Sequence, residues 1–158
     1  MFKNPLVKNA LSALVVAGVG FILLNLTFMF DYIFQSVVIW FIKLFTSEEN
    51  PPMAWYWFPL VMHVAFMVII CLISRAIFRT KIRVLFKAIY MTVPTAVALV
   101  TLGIFFYQWP VVPYLLGFLL IAGVLRYFYK TKQPWLYYYS VILISLVLAV
   151  FSLLGGEI

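Results

Sequence analysis

Only 9% of the 158 residues are charged, and the chain holds one cysteine, one histidine and four acids. Each shortage excludes a class of chemistry. A lone Cys71 cannot form an intramolecular disulfide, a CxxC redox pair or a multi-thiolate metal site. A lone His63 removes clustered-histidine zinc or haem sites within one chain. The acids are Asp31, Glu48, Glu49 and Glu157, so no second carboxylate lies inside an apolar segment to complete an acid/base pair. No nucleotide-binding glycine loop, catalytic triad or sizeable soluble domain is legible, and no cofactor or metal is expected. Solenoid repeats and β-barrel alternation are also missing. Five spans do not divide into the equal inverted halves of many transporters.

What the chain does have is apolar surface. Hydrophobic residues make up 67% of it, against roughly 45–50% in soluble domains, and no water-soluble fold of this size hides that much. The expectation is an all-α integral membrane protein, a single transmembrane domain over 1–158. Apolar stretches of about 20 residues each cross a hydrocarbon core of about 30 Å. They fall at about 9–30, 55–74, 88–107, 111–129 and 134–154. Backbone polar groups cannot stay unpaired in lipid, so each stretch is read as a helix. The first lacks a small-residue cleavage site after its apolar run and is read as uncleaved.

Charge sets the expected orientation. Lys3, Lys8, Arg75, Arg79, Lys81, Arg83, Lys87, Arg126, Lys130 and Lys132 fall at one set of helix ends, and the four acids at the other. Short cytoplasmic loops retain Lys and Arg, which gives an N-in/C-out topology in a bacterial or archaeal cytoplasmic membrane. Only Lys43 breaks the partition. The net charge of +7 is concentrated in short loops, so anionic headgroups rather than nucleic acid are its expected partner. Aromatics form two boundary belts. Trp40, Trp55, Tyr56, Trp57, Tyr107, Trp109 and Tyr114 are assigned to the outer belt, and Tyr90, Tyr127, Tyr129, Trp135 and Tyr137 to Tyr139 to the inner one.

The stretch 31–46 is too long to join one span and too short to form another. Its polar residues Asp31, Gln35, Ser36, Lys43 and Thr46 share half of a helical wheel, with Ile33, Val37, Trp40 and Leu44 opposite. An outer-leaflet interfacial amphipathic helix over about 32–46 is the expectation. One long, tilted first helix is the competing reading. Asp31 itself is read as a solvated helix terminus at the outer boundary, where it could approach Lys43, or else as paired across the bundle with a polar residue.

Three constellations are candidates for function. Arg75, Arg79, Arg83 and Lys87 recur every four residues in the basic cytoplasmic segment 75–87. As one helix they form a cationic stripe for anionic lipid or a partner; as a topology anchor they need no further role. His63 falls near the middle of the second span, where a titratable group usually faces a bundle interior or water. One interhelical hydrogen bond would equally satisfy a neutral imidazole. In the third span, Pro94 should kink the helix while Thr92 and Thr95 satisfy freed groups. His63, Thr92, Pro94 and Thr95 are thus the candidate lining of a transport path. Small residues at four-residue spacing mark close-packing faces: Ala13 and Ala17, then Ala88, Thr92 and Ala96, then Ser145 and Ala149.

The general plan resembles Yip1-type membrane proteins: five spans, a cytoplasmic N-terminus, and a basic loop before a third helix carrying Tyr90 and Pro94. Where a glycine-containing turn would be expected in that loop, this chain reads Arg79-Thr80-Lys81. The resemblance implies a non-enzymatic role. The leading expectation is a non-catalytic accessory, scaffold or trafficking-type component whose basic face binds lipid or a membrane-protein partner. The alternative is an oligomeric transporter or channel for a small solute or ion, with its path near His63 and the Pro94 helix. A membrane-embedded lipid enzyme comes third.

Overall fold

The computed structural model describes residues 5–45, 58–109 and 111–154. These form five α-helices and no strand: α1 (Pro5–Phe45), α2 (Phe58–Arg79), α3 (Val84–Phe105), α4 (Val111–Lys130) and α5 (Trp135–Leu153). All five are long and apolar enough to cross a membrane. Of the residues assigned from sequence to the charge partition, the amphipathic stretch and the aromatic belts, Lys3, Thr46, Glu48, Glu49, Trp55, Tyr56, Trp57 and Glu157 lie outside the described residues.

α3 is the hub, packing against each of the other four helices. Its sequence explains why. Ala88, Thr92 and Ala96 are small and repeat every four residues, and all three are buried, so neighbouring backbones approach closely along that stripe. The approach to α1 is close: a Cβ built on Gly20 would lie 3.0 Å from Thr92 Cγ2. Val93 and Val97 carry the adjoining face onto Phe66 and Ile70 of α2. At the basic end, Phe128 of α4 and Tyr137 of α5 stack at 5.9 Å, and Phe78 of α2 meets both Tyr137 and Tyr90 edge-on. Tyr137 and Tyr90, assigned from sequence to a boundary belt, are therefore core and partly buried residues. Tyr127, Tyr129 and Trp135 are exposed, as a belt requires.

Two differences from the sequence reading matter. First, α1 does not stop at Asp31. It continues to Phe45 as one helix of 41 residues, about 60 Å long at 1.5 Å per residue, so 32–45 is not a separate element. The break was expected because the apolar run is too long for one span and its polar residues share one half of a helical wheel from Asp31 onward; Asp31 is instead buried and partnered (below). Second, the cationic stripe is not one helix face. α2 ends at Arg79 and α3 starts after Arg83, with Thr80 donating its hydroxyl to the Ile77 carbonyl at 2.6 Å where the chain turns. Lys87 points back across this turn and donates to the Phe78 carbonyl at 2.9 Å, a cation on the carbonyl end of α2. Arg75, Arg79 and Arg83 remain exposed.

The α4–α5 turn closes with a Schellman pattern: Gln133 N–H donates to the Phe128 carbonyl and Lys132 N–H to that of Tyr129. Lys132 sits there at φ 52°, a left-handed conformation that a side chain disfavours. Lys132→Gly should therefore raise stability by about 1 kcal/mol in detergent melts. Lys132→Ala, which keeps the Cβ, should not.

Candidate functional site

Three helices bring one polar side chain each to a single point. Asp31 comes from α1, His63 from the second turn of α2 and Thr101 from the last turns of α3. His63 Nδ1 lies 2.8 Å from Asp31 Oδ2, and His63 Nε2 lies 3.1 Å from Thr101 Oγ1. Gln35, one turn along α1, donates its amide to Asp31 Oδ1 at 3.2 Å. All three central residues are buried, His63 at 3% and Asp31 at 6% exposure. At 1.5 Å per residue the site is about 24 Å along α2 from Arg79, toward the end of the bundle opposite the basic residues.

Donor bookkeeping assigns the protons. The Thr101 hydroxyl lies 2.6 Å from the Val97 carbonyl, which can only accept, so its single proton points there. Thr101 must then accept from His63, and Nε2 carries a proton. The 2.8 Å contact on the other side of the ring needs a proton between Nδ1 and Oδ2. Either imidazolium faces carboxylate or imidazole faces carboxylic acid; in both cases the pair is neutral overall and holds one shared proton. A neutral pair is what a low-dielectric surrounding tolerates.

The same order of residues, hydroxyl to imidazole to carboxylate, forms the charge-transfer triad of hydrolases. Here the hydroxyl is spent on a helix carbonyl and sits inside α3, whose neighbouring N–H groups are tied up in the helix. Among the described residues, Thr101 therefore has neither the free hydroxyl of an activated nucleophile nor a pair of free backbone donors beside it.

A cavity of about 450 Å³ adjoins the pair, lined by Phe28, Asp31, Gln35, His63, Val100, Ile104, Leu148 and Phe151. Asp31, Gln35 and His63 supply its polar wall, and Thr101 is not part of the lining. A second cavity of about 570 Å³ lies between α3, α4 and α5 and is largely apolar, with Tyr114 and Ser152 hydrogen-bonded at 2.7 Å beside it. Small residues Ser145 and Ala149 face this space instead of closing it.

The remaining sequence candidates are placed differently. Thr92 and Thr95 donate to the Ile89 and Met91 carbonyls of their own helix, at 2.7 Å and 2.9 Å. α3 runs through Pro94 as one helix. Neither cavity is lined by Thr92, Pro94 or Thr95, so of that set only His63 borders one of them. Ser74, which shares the His63 side of α2, accepts from Tyr90 instead, since its own proton goes to the Ile70 carbonyl. Cys71 is exposed. Asp31 pairs with His63 rather than Lys43.

Asp31 was offered a polar partner across the bundle only as the second reading, and neither His63 as that partner nor Thr101 beyond it was named; a signal for Asp31 existed. A lone acid within forty apolar residues is by default an intramembrane site, but placing a helix end there put it in water instead. The chain matches no family model, no curated protein and no solved structure.

Proposed function

We propose that the protein is a small multipass membrane transporter subunit working at the Asp31–His63–Thr101 site, assembled with further copies or a membrane partner to complete a path. One observation carries this: a proton-sharing pair, buried among spanning helices, forms one wall of a cavity. Buried ionisable pairs are costly in lipid and mark ion or substrate pathways. A purely structural histidine would be satisfied by one hydrogen bond and closely packed. The basic ends of the helices orient the chain N-in/C-out, which sets the cavity toward the outer side of a cytoplasmic membrane. The part of α1 beyond Asp31 then projects through the outer interface.

The test is solute-evoked pH change inside proteoliposomes loaded with a pH dye and offered a panel of amines, acids, sugars and metal cations. Wild type should respond to at least one class, and His63→Ala should abolish the response. No response to any solute, or an equal response from His63→Ala, contradicts the proposal.

A second reading keeps a binding role for the basic end, because Arg75, Arg79, Lys81 and Arg83 are exposed there. Each basic residue near an anionic surface contributes about 1 kcal/mol. Reversal of Arg79 and Arg83 to Glu should lower recovery of anionic lipid with the purified protein several-fold; unchanged recovery reduces these residues to a topology anchor. A non-catalytic role is common to both readings, supported by the engaged Thr101 hydroxyl.

A further inference from the structure

We infer that the cavity beside Asp31 takes a monovalent organic cation, a protonated amine with an apolar body, in exchange for the shared proton. The inference rests on the reading of this cavity as a transport site.

The lining selects the charge. Among the described residues, Asp31 and His63 are the only titratable groups of the lining, and the other contributors from α1, α3 and α5 are Phe28, Gln35, Val100, Ile104, Leu148 and Phe151. Among the described residues no lysine or arginine lines it; Lys43 is twelve residues further along α1, about 18 Å away. An anion would meet the Asp31 carboxyl and, among the described residues, no cation except an imidazolium already engaged by that carboxyl. A bare divalent ion needs six or more oxygen ligands, and the lining offers only the Asp31 carboxyl and the Gln35 amide oxygen. An ammonium needs fewer. The Asp31 carboxylate has about four acceptor positions, of which two are used by His63 and Gln35. Phe28 and Phe151 add ring faces for the cation, and the aliphatic residues accommodate a hydrocarbon body.

Charge balance then sets the stoichiometry. With the shared proton in place the Asp31–His63 pair is neutral. An incoming R–NH3+ donates N–H to Asp31, and if the proton stayed the site would carry a net +1 among apolar walls. Release of that proton to water leaves carboxylate with ammonium, and neutral imidazole still donating from Nε2 to Thr101. No covalent bond in the amine changes: R–NH3+ replaces H+ one for one. Gln35 is the positioning residue, holding Oδ1 so that Oδ2 stays on the imidazole.

The experiment uses the full chain in detergent, with 2-phenylethylammonium as probe and 2-phenylethanol as its uncharged counterpart. Calorimetry in buffers of differing ionisation enthalpy counts protons released per probe bound. The expected result is about one proton released per amine, at least tenfold weaker binding of the alcohol, and at least tenfold weaker amine binding by a monodisperse Asp31→Asn. The proton count is made on wild type, so it stands even if the variant misfolds. No amine binding, no proton release, equal binding of the alcohol, or unchanged binding by Asp31→Asn each overturns the inference. If the proteoliposome response to another solute class survives such a result, the transport reading stands and only the substrate class falls. If that response is missing too, both fall.

Discussion

His63→Leu alone should cost about 3–5 kcal/mol of stability, because it strands a buried carboxyl with Gln35 as its only remaining partner. Asp31→Leu should cost less, about 1–3 kcal/mol, since the imidazole sheds the shared proton and loses one hydrogen bond. The double variant Asp31→Leu/His63→Leu should recover nearly all of this loss. Replacing a buried pair by packed apolar residues is often neutral or stabilising. Thermal melts of the four proteins in one detergent give the coupling energy directly. An ordinary interhelical hydrogen bond in a membrane averages about 0.6 kcal/mol, so a coupling well above that marks a pair that shares charge. The double variant should be well folded and unable to couple solute to protons. That combination separates function from folding.

The second large effect lies some distance from the site. Gly20→Leu should destabilise the bundle by about 1–3 kcal/mol, since even a Cβ at Gly20 would lie 3.0 Å from Thr92 Cγ2. Thr92 cannot swing away freely, because its hydroxyl is bonded to the Ile89 carbonyl. The helices must separate, and α1 and α3 carry Asp31 and Thr101. Gly20 is eleven residues from Asp31, about 16 Å along the helix, so solute coupling should fall although nothing in the cavity has changed. Gly18 is the control. A Cβ there meets nothing within 4 Å, and Gly18→Leu should leave stability unchanged or raise it by up to about 1 kcal/mol through helix propensity. Equal losses at the two glycines in melts of the purified proteins would contradict this packing account.

Apolar runs of about 20 residues were enough to locate five helices, because lipid leaves the backbone few alternatives. The four-residue spacing of Ala88, Thr92 and Ala96 likewise marked the face of α3 that became most deeply buried. What could not be read was register between helices. Nothing local to Thr101 distinguishes it from Thr92 or Thr95; all three bond to their own helix, and only the offset of α2 against α3 brings Thr101 to His63. Asp31 was visible as a lone acid in a long apolar run, and its misplacement followed from ending the helix there. The basic stripe failed for a local reason: the turn after Arg79 interrupts it, and Lys87 is used to cap α2.

His63 is the only histidine in the chain, so 15N labelling of histidine gives a spectrum of this site alone. The account predicts that Nε2 carries a proton, donated to Thr101. It also predicts that the Nδ1 resonance shifts when Asp31 is changed to Asn or when 2-phenylethylammonium binds. A ring protonated on Nδ1 with Nε2 bare, or a spectrum indifferent to Asp31→Asn, would contradict the proton-sharing pair on which the rest depends.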